Sequence, residues 1–313
     1  MSAARIAPQI ATRAKTRTGR LARRLGAVAA AVSLALGLGA AAPASAKPPV
    51  WIIRSQGATI VLFGSIHLLP AGLDWRPEAL DDALANADEL WTELPITAKA
   101  GEEASAVSLS RGALPKDKRL SAMLSEGDTA RLMQAAVTLH CTPEAIDRMQ
   151  PWMAELTLSV AEDARSGADA SSGVEDQIEA QTGPAVARRS FETAAQQIEF
   201  LAGAPLKDQV ASLNWTVGEI VGDPGSYRRV VDEWMDADLL GLKHDANDPL
   251  ERVSPRLYQR LIVKRNHAWA DELASRLKKP GKVVVVVGIG HLIGPDGLPA
   301  LLRARGFDVE GPA

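Results

Sequence analysis

The chain of 313 residues has a single cysteine, Cys141, and aromatic side chains make up only 4% of it. One cysteine excludes an intramolecular disulfide and a zinc site built on cysteine pairs. The sequence also lacks the His-Glu-x-x-His pattern of helical zinc proteases. After residue 46, the longest apolar run is Val283–Val287, which is far too short to span a bilayer. Because 46% of the residues are apolar, a packed core is nevertheless expected.

The first 46 residues contain no acidic side chain. Seven basic residues precede an apolar segment over 25–42, and Ala44-Ser45-Ala46 follows it. This order is typical of a secretory signal peptide with cleavage after Ala46, and an uncleaved anchor helix is the alternative. We therefore expect residues 47–313 to form the mature domain of a periplasmic or secreted protein. That part carries 28 basic and 38 acidic residues, a net charge of about −10, which disfavours nucleic acid as a partner.

The remaining chain alternates strand and helix patterns, which predicts an α/β fold. Residues 50–54 and 59–63 predict a β-hairpin, and residues 88–93, 185–191 and 282–287 predict further strands. Ser254-Pro255 predicts the start of a long helix that reaches about residue 277. The composition of residues 98–118 predicts a surface loop or lid.

Polar side chains follow four of these strands: His67, Glu93, Glu192 and His291. Both histidines stand in a Gly-x-x-His turn. In an open α/β sheet, such strand ends meet in one crevice. Two imidazoles with carboxylates suit Zn²⁺, Mn²⁺ or Co²⁺, and a bound metal would activate water for peptide or ester hydrolysis. Arg265 on the long helix is a candidate for stabilising an oxyanion.

Each of these residues also has a structural interpretation. A histidine after such a turn can cap a helix or bond a loop carbonyl, and Glu192 can be an acid at a helix N-terminus. Arg265 can equally form an ion pair. His140, His244 and His267 are interpreted as surface or packing residues.

Seven segments of the chain carry a resemblance to a known family. They are LFGSIHLLP (62–70), ELWTEL (89–94), MQPWMAEL (149–156), GVEDQIEAQTG (173–183), SFETAAQQIEF (190–200), RNHAWADEL (265–273) and VVVVVGIGHLIGPDGLPALLRARGFDVE (283–310). They cover nearly the whole of residues 47–313 in order. With these segments the chain resembles the TraB/GumN family, which is related to the animal Tiki proteases.

The resemblance implies a single domain with a mixed central sheet flanked by helices, as in erythromycin-esterase-like proteins. It implies that His67, Glu93 and His291 are the metal ligands, for Mn²⁺ or Co²⁺ with Zn²⁺ as a further candidate. It also implies that Glu192 and Arg265 are catalytic. Glu175 departs from the expected pattern and is assigned no catalytic role.

The function expected from the sequence is therefore an exported, metal-dependent hydrolase, a peptidase acting on peptides or exported proteins. Two alternatives stay open. One is a protein that binds a peptide, a metal or haem without catalysis. The other is a metal-free esterase or amidase that uses a histidine base.

Overall fold

A computed structural model describes residues 47–312, and the predicted signal peptide lies outside them. Within this range the chain forms an α/β fold with one main sheet and helices packed around it. The strands are β1 (Val50–Ser55), β2 (Ala58–Ser65), β3 (Leu69–Pro70), β4 (Glu89–Thr92), β5 (Ala168–Asp169), β6 (Ala187–Ser190), β7 (Gly281–Gly288) and β8 (Val309–Glu310).

The main sheet is mixed, with the order β6-β4-β7-β2-β1-β8. Its four strands β6, β4, β7 and β2 run parallel to one another, while β1 is antiparallel to both of its neighbours. β2 and β7 are paired from Ala58 and Gly281 to Ser65 and Gly288. The carboxyl ends of four adjacent strands therefore lie along one edge. The two short strands β3 and β5 pair separately.

The predicted hairpin is confirmed. Its loop is the dipeptide Gln56-Gly57, whose φ angles are 42° and 87°. Two consecutive positive φ values are typical of the tight turn that matches strand twist, and glycine adopts such an angle at little cost.

Along the chain, the helices connect successive strands. They are α1 (Glu78–Ala85), α2 (Ala98–Gly112), α3 (Glu126–Thr138), α4 (Pro143–Ile146), α5 (Pro151–Arg165), α6 (Val174–Gln181), α7 (Ala194–Ala202), α8 (Leu206–Gly222), α9 (Ser226–Met235), α10 (Leu239–Leu242), α11 (Asp248–Val253), α12 (Pro255–Tyr258), α13 (Lys264–Arg276) and α14 (Leu298–Ala304).

One predicted helix is confirmed and one predicted loop is wrong. The long helix is present as α12 and α13, joined by a π-helical turn over Gln259–Val263, and Ser254 caps it by accepting from the Leu257 N–H. The loop prediction for 98–118 is wrong, because residues 98–112 form α2. Thr97 caps this helix by accepting a hydrogen bond from the Ala100 N–H, and its alanines favour helix.

The core is built on the two central strands. All five valines of β7 are buried, with at most 1% exposed, and Leu62 and Phe63 of β2 are fully buried beside them. This is the pattern of a parallel strand covered on both faces. A second apolar cluster includes residues of α3, α5 and α8. Within residues 47–312, we find no helix with the length and apolar character needed to cross a membrane.

Candidate functional site

The four predicted strand-end residues follow four neighbouring parallel strands. His67 follows β2, His291 follows β7, Glu93 follows β4 and Glu192 follows β6. The order of these strands in the sheet brings all four side chains to the same edge. Arg265 reaches them from the first turn of α13.

Gly288, the last residue of β7, lies at the centre of this group. Its N–H donates to Oε1 of Glu93 at 2.7 Å. A Cβ at this position would lie 3.2 Å from Oε1 of Glu93 and 3.9 Å from both Nε2 of His67 and Cδ2 of His291. A side chain here would therefore fill the space that the three residues share.

Arg265 connects the buried members of the group. Its Nε and Nη2 donate to the two oxygens of Glu192 at 2.7 and 2.8 Å, and Nη2 also donates to Glu93 at 2.6 Å. Nη1 donates to the carbonyl of Leu261 and to Nε2 of His291, both at 2.9 Å. All five N–H bonds of the guanidinium thus have an acceptor. Arg265 has no spare donor for a substrate oxygen in this arrangement.

His291 is held in one neutral form. A guanidinium only donates, so Nε2 must accept from Arg265 and the proton sits on Nδ1, which lies 2.6 Å from Oδ1 of Asn266. The side-chain amide of Asn266 donates to the backbone carbonyls of His291 and Asp296. Burial lowers the pKa of His291 to about 3, and the nearby Arg265 charge acts in the same direction. His291 is therefore neutral at physiological pH.

Glu93 is ionised by the same set of neighbours. Burial alone would raise its pKa, but the charges of Arg265 and His67 and the Gly288 N–H help to lower it to about 2. Gln197 adds a further donor to Oε2 of Glu93 at 3.0 Å. A carboxylate held this strongly in its charged form is a poor proton acceptor near neutral pH.

His67 has a different partner, which the sequence interpretation did not assign. Its Nδ1 lies 2.7 Å from Oε1 of Glu175, in the first turn of α6, and the same oxygen accepts from the Ser65 hydroxyl at 2.5 Å. The ion pair with Glu175 raises the pKa of His67 to about 9. The His67 side chain is 69% exposed, whereas that of His291 is 6% exposed. Only one of the two Gly-x-x-His imidazoles is therefore open to solvent.

The open histidine lines a cavity with a volume of about 850 Å³. We call it the His67 cavity, and its apolar walls include Leu156, Val160, Trp215, Ile220, Tyr227 and Ile289. Gly288 also lines this cavity, while Glu93, Glu192, Arg265 and His291 do not. A cavity of this size suits a small organic group or part of a peptide.

With this geometry in place, comparison with known proteins identifies the family. The family model described as the TraB/PrgY/gumN family matches residues 49–311. The chain belongs to this family.

Two curated relatives are similar to this chain over most of its length. The uncharacterized protein YbaP of Escherichia coli (strain K12) is 27% identical over 246 residues, which is 77% of this chain and 87% of YbaP. The YbaP of Shigella flexneri matches to the same extent. No solved structure matches the chain. Since both relatives are described as uncharacterized, they carry no reaction over to this member of the family.

The three metal ligands that the family resemblance implies are engaged in other contacts in this structure. Nε2 of His291 accepts from Arg265, and both oxygens of Glu93 accept hydrogen bonds. His291 turns Cδ2, a carbon, toward the space beside Gly288. Within residues 47–312, no group of three or more His, Cys, Asp or Glu side chains is arranged to hold a metal ion. The donors as they lie here do not fit a divalent metal, and the metal centre stays a prediction.

Proposed function

We propose that this TraB/PrgY/gumN family member is a hydrolase of ester or amide bonds in which His67, oriented by Glu175, is the general base. The observation that carries the proposal is the 2.7 Å contact between His67 and Glu175 beside a cavity of about 850 Å³. A base whose second ring nitrogen is fixed by a carboxylate is the arrangement that activates water or a hydroxyl in many hydrolases.

The reaction would proceed in two proton transfers. Neutral His67 removes a proton from a water molecule through Nε2 while the water oxygen attacks the carbonyl carbon. The imidazolium formed is stabilised by Glu175, and its proton then passes to the departing alcohol or amine. The products are a carboxylic acid and that alcohol or amine.

In this proposal the buried residues Glu93, Glu192, Arg265 and His291 support His67, and none of them is itself the general base. Glu93 accepts hydrogen bonds from Arg265, Gln197 and Gly288, and its negative charge helps to raise the pKa of His67. We assign Arg265, Glu192 and His291 to positioning Glu93, because four of the five hydrogen bonds of Arg265 go to Glu93, Glu192 and His291, and the fifth goes to the backbone carbonyl of Leu261.

The metal-dependent peptidase expected from the resemblance requires a rearrangement. Arg265 would have to release His291 and Glu93 before both could bind a metal that also contacts His67. This is the reason for favouring the metal-free mechanism. A cavity that captures a peptide or haem without turnover is the non-catalytic alternative.

The N-terminal segment supports export as a further part of the proposal. We expect the protein recovered from the periplasm or culture medium to begin at Lys47. N-terminal sequencing measures this directly, and an intact N-terminus on the exported protein would contradict it.

The proposed reaction is tested with the purified protein on a library of short peptides and aryl esters, compared with His67→Ala. We expect turnover by the wild type and a loss of about 10²–10⁴-fold in the variant. Equal turnover by both proteins would remove His67 from the mechanism. Stoichiometric capture of a library member without any product would favour the binding alternative.

A further inference from the structure

The His67 cavity contains a carboxylate that the proposed reaction does not use. Asp163, near the end of α5, lines the cavity together with the apolar side chains of Val160, Trp215 and Tyr227. No hydrogen bond or ion pair joins the Asp163 side chain to another residue in the part of the chain that the structure describes. It is therefore a charged group in a mainly apolar wall, with its bonding capacity free.

Apart from Glu219, which like Asp163 is half-buried and has no side-chain partner among the described residues, the charged groups that line the cavity have partners or are open to solvent. Glu162 bonds to Arg165 at 2.7 Å, and Arg229 pairs with both Asp223 and Asp245. His67 pairs with Glu175. Arg252 also lines the cavity and is exposed, and Glu219 is a second carboxylate of the wall.

Asp163 is half-buried, and partly burying a carboxylate without a protein partner is unfavourable, so a ligand that supplies a partner is favoured. Burial and the neighbouring Glu162 raise the pKa of Asp163 to about 6. Above that pH it carries a negative charge inside the cavity. A ligand cation that enters the cavity can form an ion pair with the Asp163 carboxylate. An apolar group next to that cation can pack against the apolar side chains around Asp163.

We propose that the His67 cavity selects molecules in which a cationic group, such as an ammonium, lies next to an apolar group, and that Asp163 pairs with the cation. As a statement about substrates this rests on the proposed hydrolase function. As a statement about binding it stands by itself. For a hydrolase, the site would favour substrates with an amine close to the bond that is cleaved.

The binding experiment uses two probes of nearly equal shape at pH 7.5. One is 2-phenylethylammonium, and the other is neutral 2-phenylethanol. Isothermal titration calorimetry measures both with the wild type, with Asp163→Asn and with Asp232→Asn. Asp232 is an exposed carboxylate on α9 outside the cavity lining, so this variant matches the change in net charge.

We expect the wild type to bind the ammonium about tenfold more tightly than the alcohol, which corresponds to about 1.4 kcal/mol. Asp163→Asn should lose this preference while keeping its affinity for the alcohol, and Asp232→Asn should keep both affinities. A preference that survives in Asp163→Asn overturns the inference. A preference that is lost in Glu219→Gln instead also overturns it, because the cation would then bind the other carboxylate.

His67→Ala separates this inference from the proposed reaction. We expect this variant to keep the ammonium preference although turnover is lost. If the wild type shows the preference but hydrolyses no library member, the hydrolase proposal fails and the binding inference stands. If the wild type hydrolyses esters or peptides but binds both probes equally, the binding inference fails and the hydrolase proposal stands.

Discussion

Nη1 of Arg265 donates a hydrogen bond to Nε2 of His291 at 2.9 Å. This contact makes His291 a neutral acceptor and closes the nitrogen that a metal would need. The Arg265 guanidinium thus contacts two carboxylates, Glu93 and Glu192, and the His291 imidazole, and none of these four residues lines the His67 cavity. The exposed His67 is left as the one strand-end imidazole that faces solvent.

Replacing Arg265 by methionine should destabilise the fold strongly. The variant leaves Glu93 and Glu192 buried without their cation, and breaking a buried pair in this way costs about 3–5 kcal/mol. The matched control is Arg54→Met, whose ion pair with Glu310 is more than half exposed and should contribute about 0–1 kcal/mol. Urea unfolding measures both changes, and equal losses for the two variants would contradict the central role of Arg265.

The same substitution should create a metal site. Without the guanidinium, Nε2 of His291 and the carboxylates of Glu93 and Glu192 become free donors of the kind that Zn²⁺ binds. We expect added Zn²⁺ to raise the Tm of Arg265→Met and to leave the Tm of the wild type unchanged. A matching rise in the wild type would show that Arg265 does not close the site.

Stability should fall in weakly acidic solution because of His291. The unfolded chain takes up this proton near pH 6.5, whereas the folded chain resists it down to about pH 3. Between these values the unfolded state binds more protons, so the free energy of unfolding decreases as the pH falls. His291→Gln should flatten the pH dependence between pH 6.5 and 4.5 in urea titrations. The carboxylate Glu93, with its pKa lowered to about 2, adds a loss only below about pH 4.5.

Hydrolysis should become faster as the pH rises toward 9. The proposed base must be neutral to accept a proton, and Glu175 raises the pKa of His67 to about 9. Glu175→Gln removes the main cause of that shift, so the midpoint of kcat/KM against pH should move down toward 6.5, with a lower plateau. An unchanged midpoint in this variant would mean that another group controls the profile.

Gly288→Ala should reduce activity more than stability. The added methyl carbon would lie 3.2 Å from Oε1 of Glu93 and fill the space beside His67. The control is Gly101→Ala in α2, where a Cβ meets nothing within 4 Å and should stabilise the helix by up to about 1 kcal/mol. Turnover and urea unfolding measured on both variants test this, and full activity in Gly288→Ala would contradict the site geometry.

The sequence predicted those parts of the fold that local pattern controls. The valine strand, the hairpin and the strand-end positions of His67, Glu93, Glu192 and His291 follow from hydrophobic runs and glycine turns. The loop prediction for 98–118 is wrong because the alanines of this segment favour helix and Thr97 caps the helix over residues 98–112.

The partners within the site could not be predicted in this way. Glu175 lies in the first turn of α6, where an acid is favoured by the helix dipole alone, so its type and position gave no specific signal. Which imidazole is open to solvent depends on how Arg265 and Asn266 pack around His291. The pairing of Glu175 with His67 and the burial of His291 both depend on tertiary contacts between segments that are distant in the sequence.

The most direct test measures hydrolysis before and after exhaustive chelation, with metal content determined on the same samples. The account predicts less than one equivalent of Mn²⁺, Co²⁺ or Zn²⁺ in the active protein and an unchanged rate after chelation. Loss of activity on chelation, with recovery on adding Mn²⁺ or Co²⁺, would contradict the metal-free His67–Glu175 mechanism.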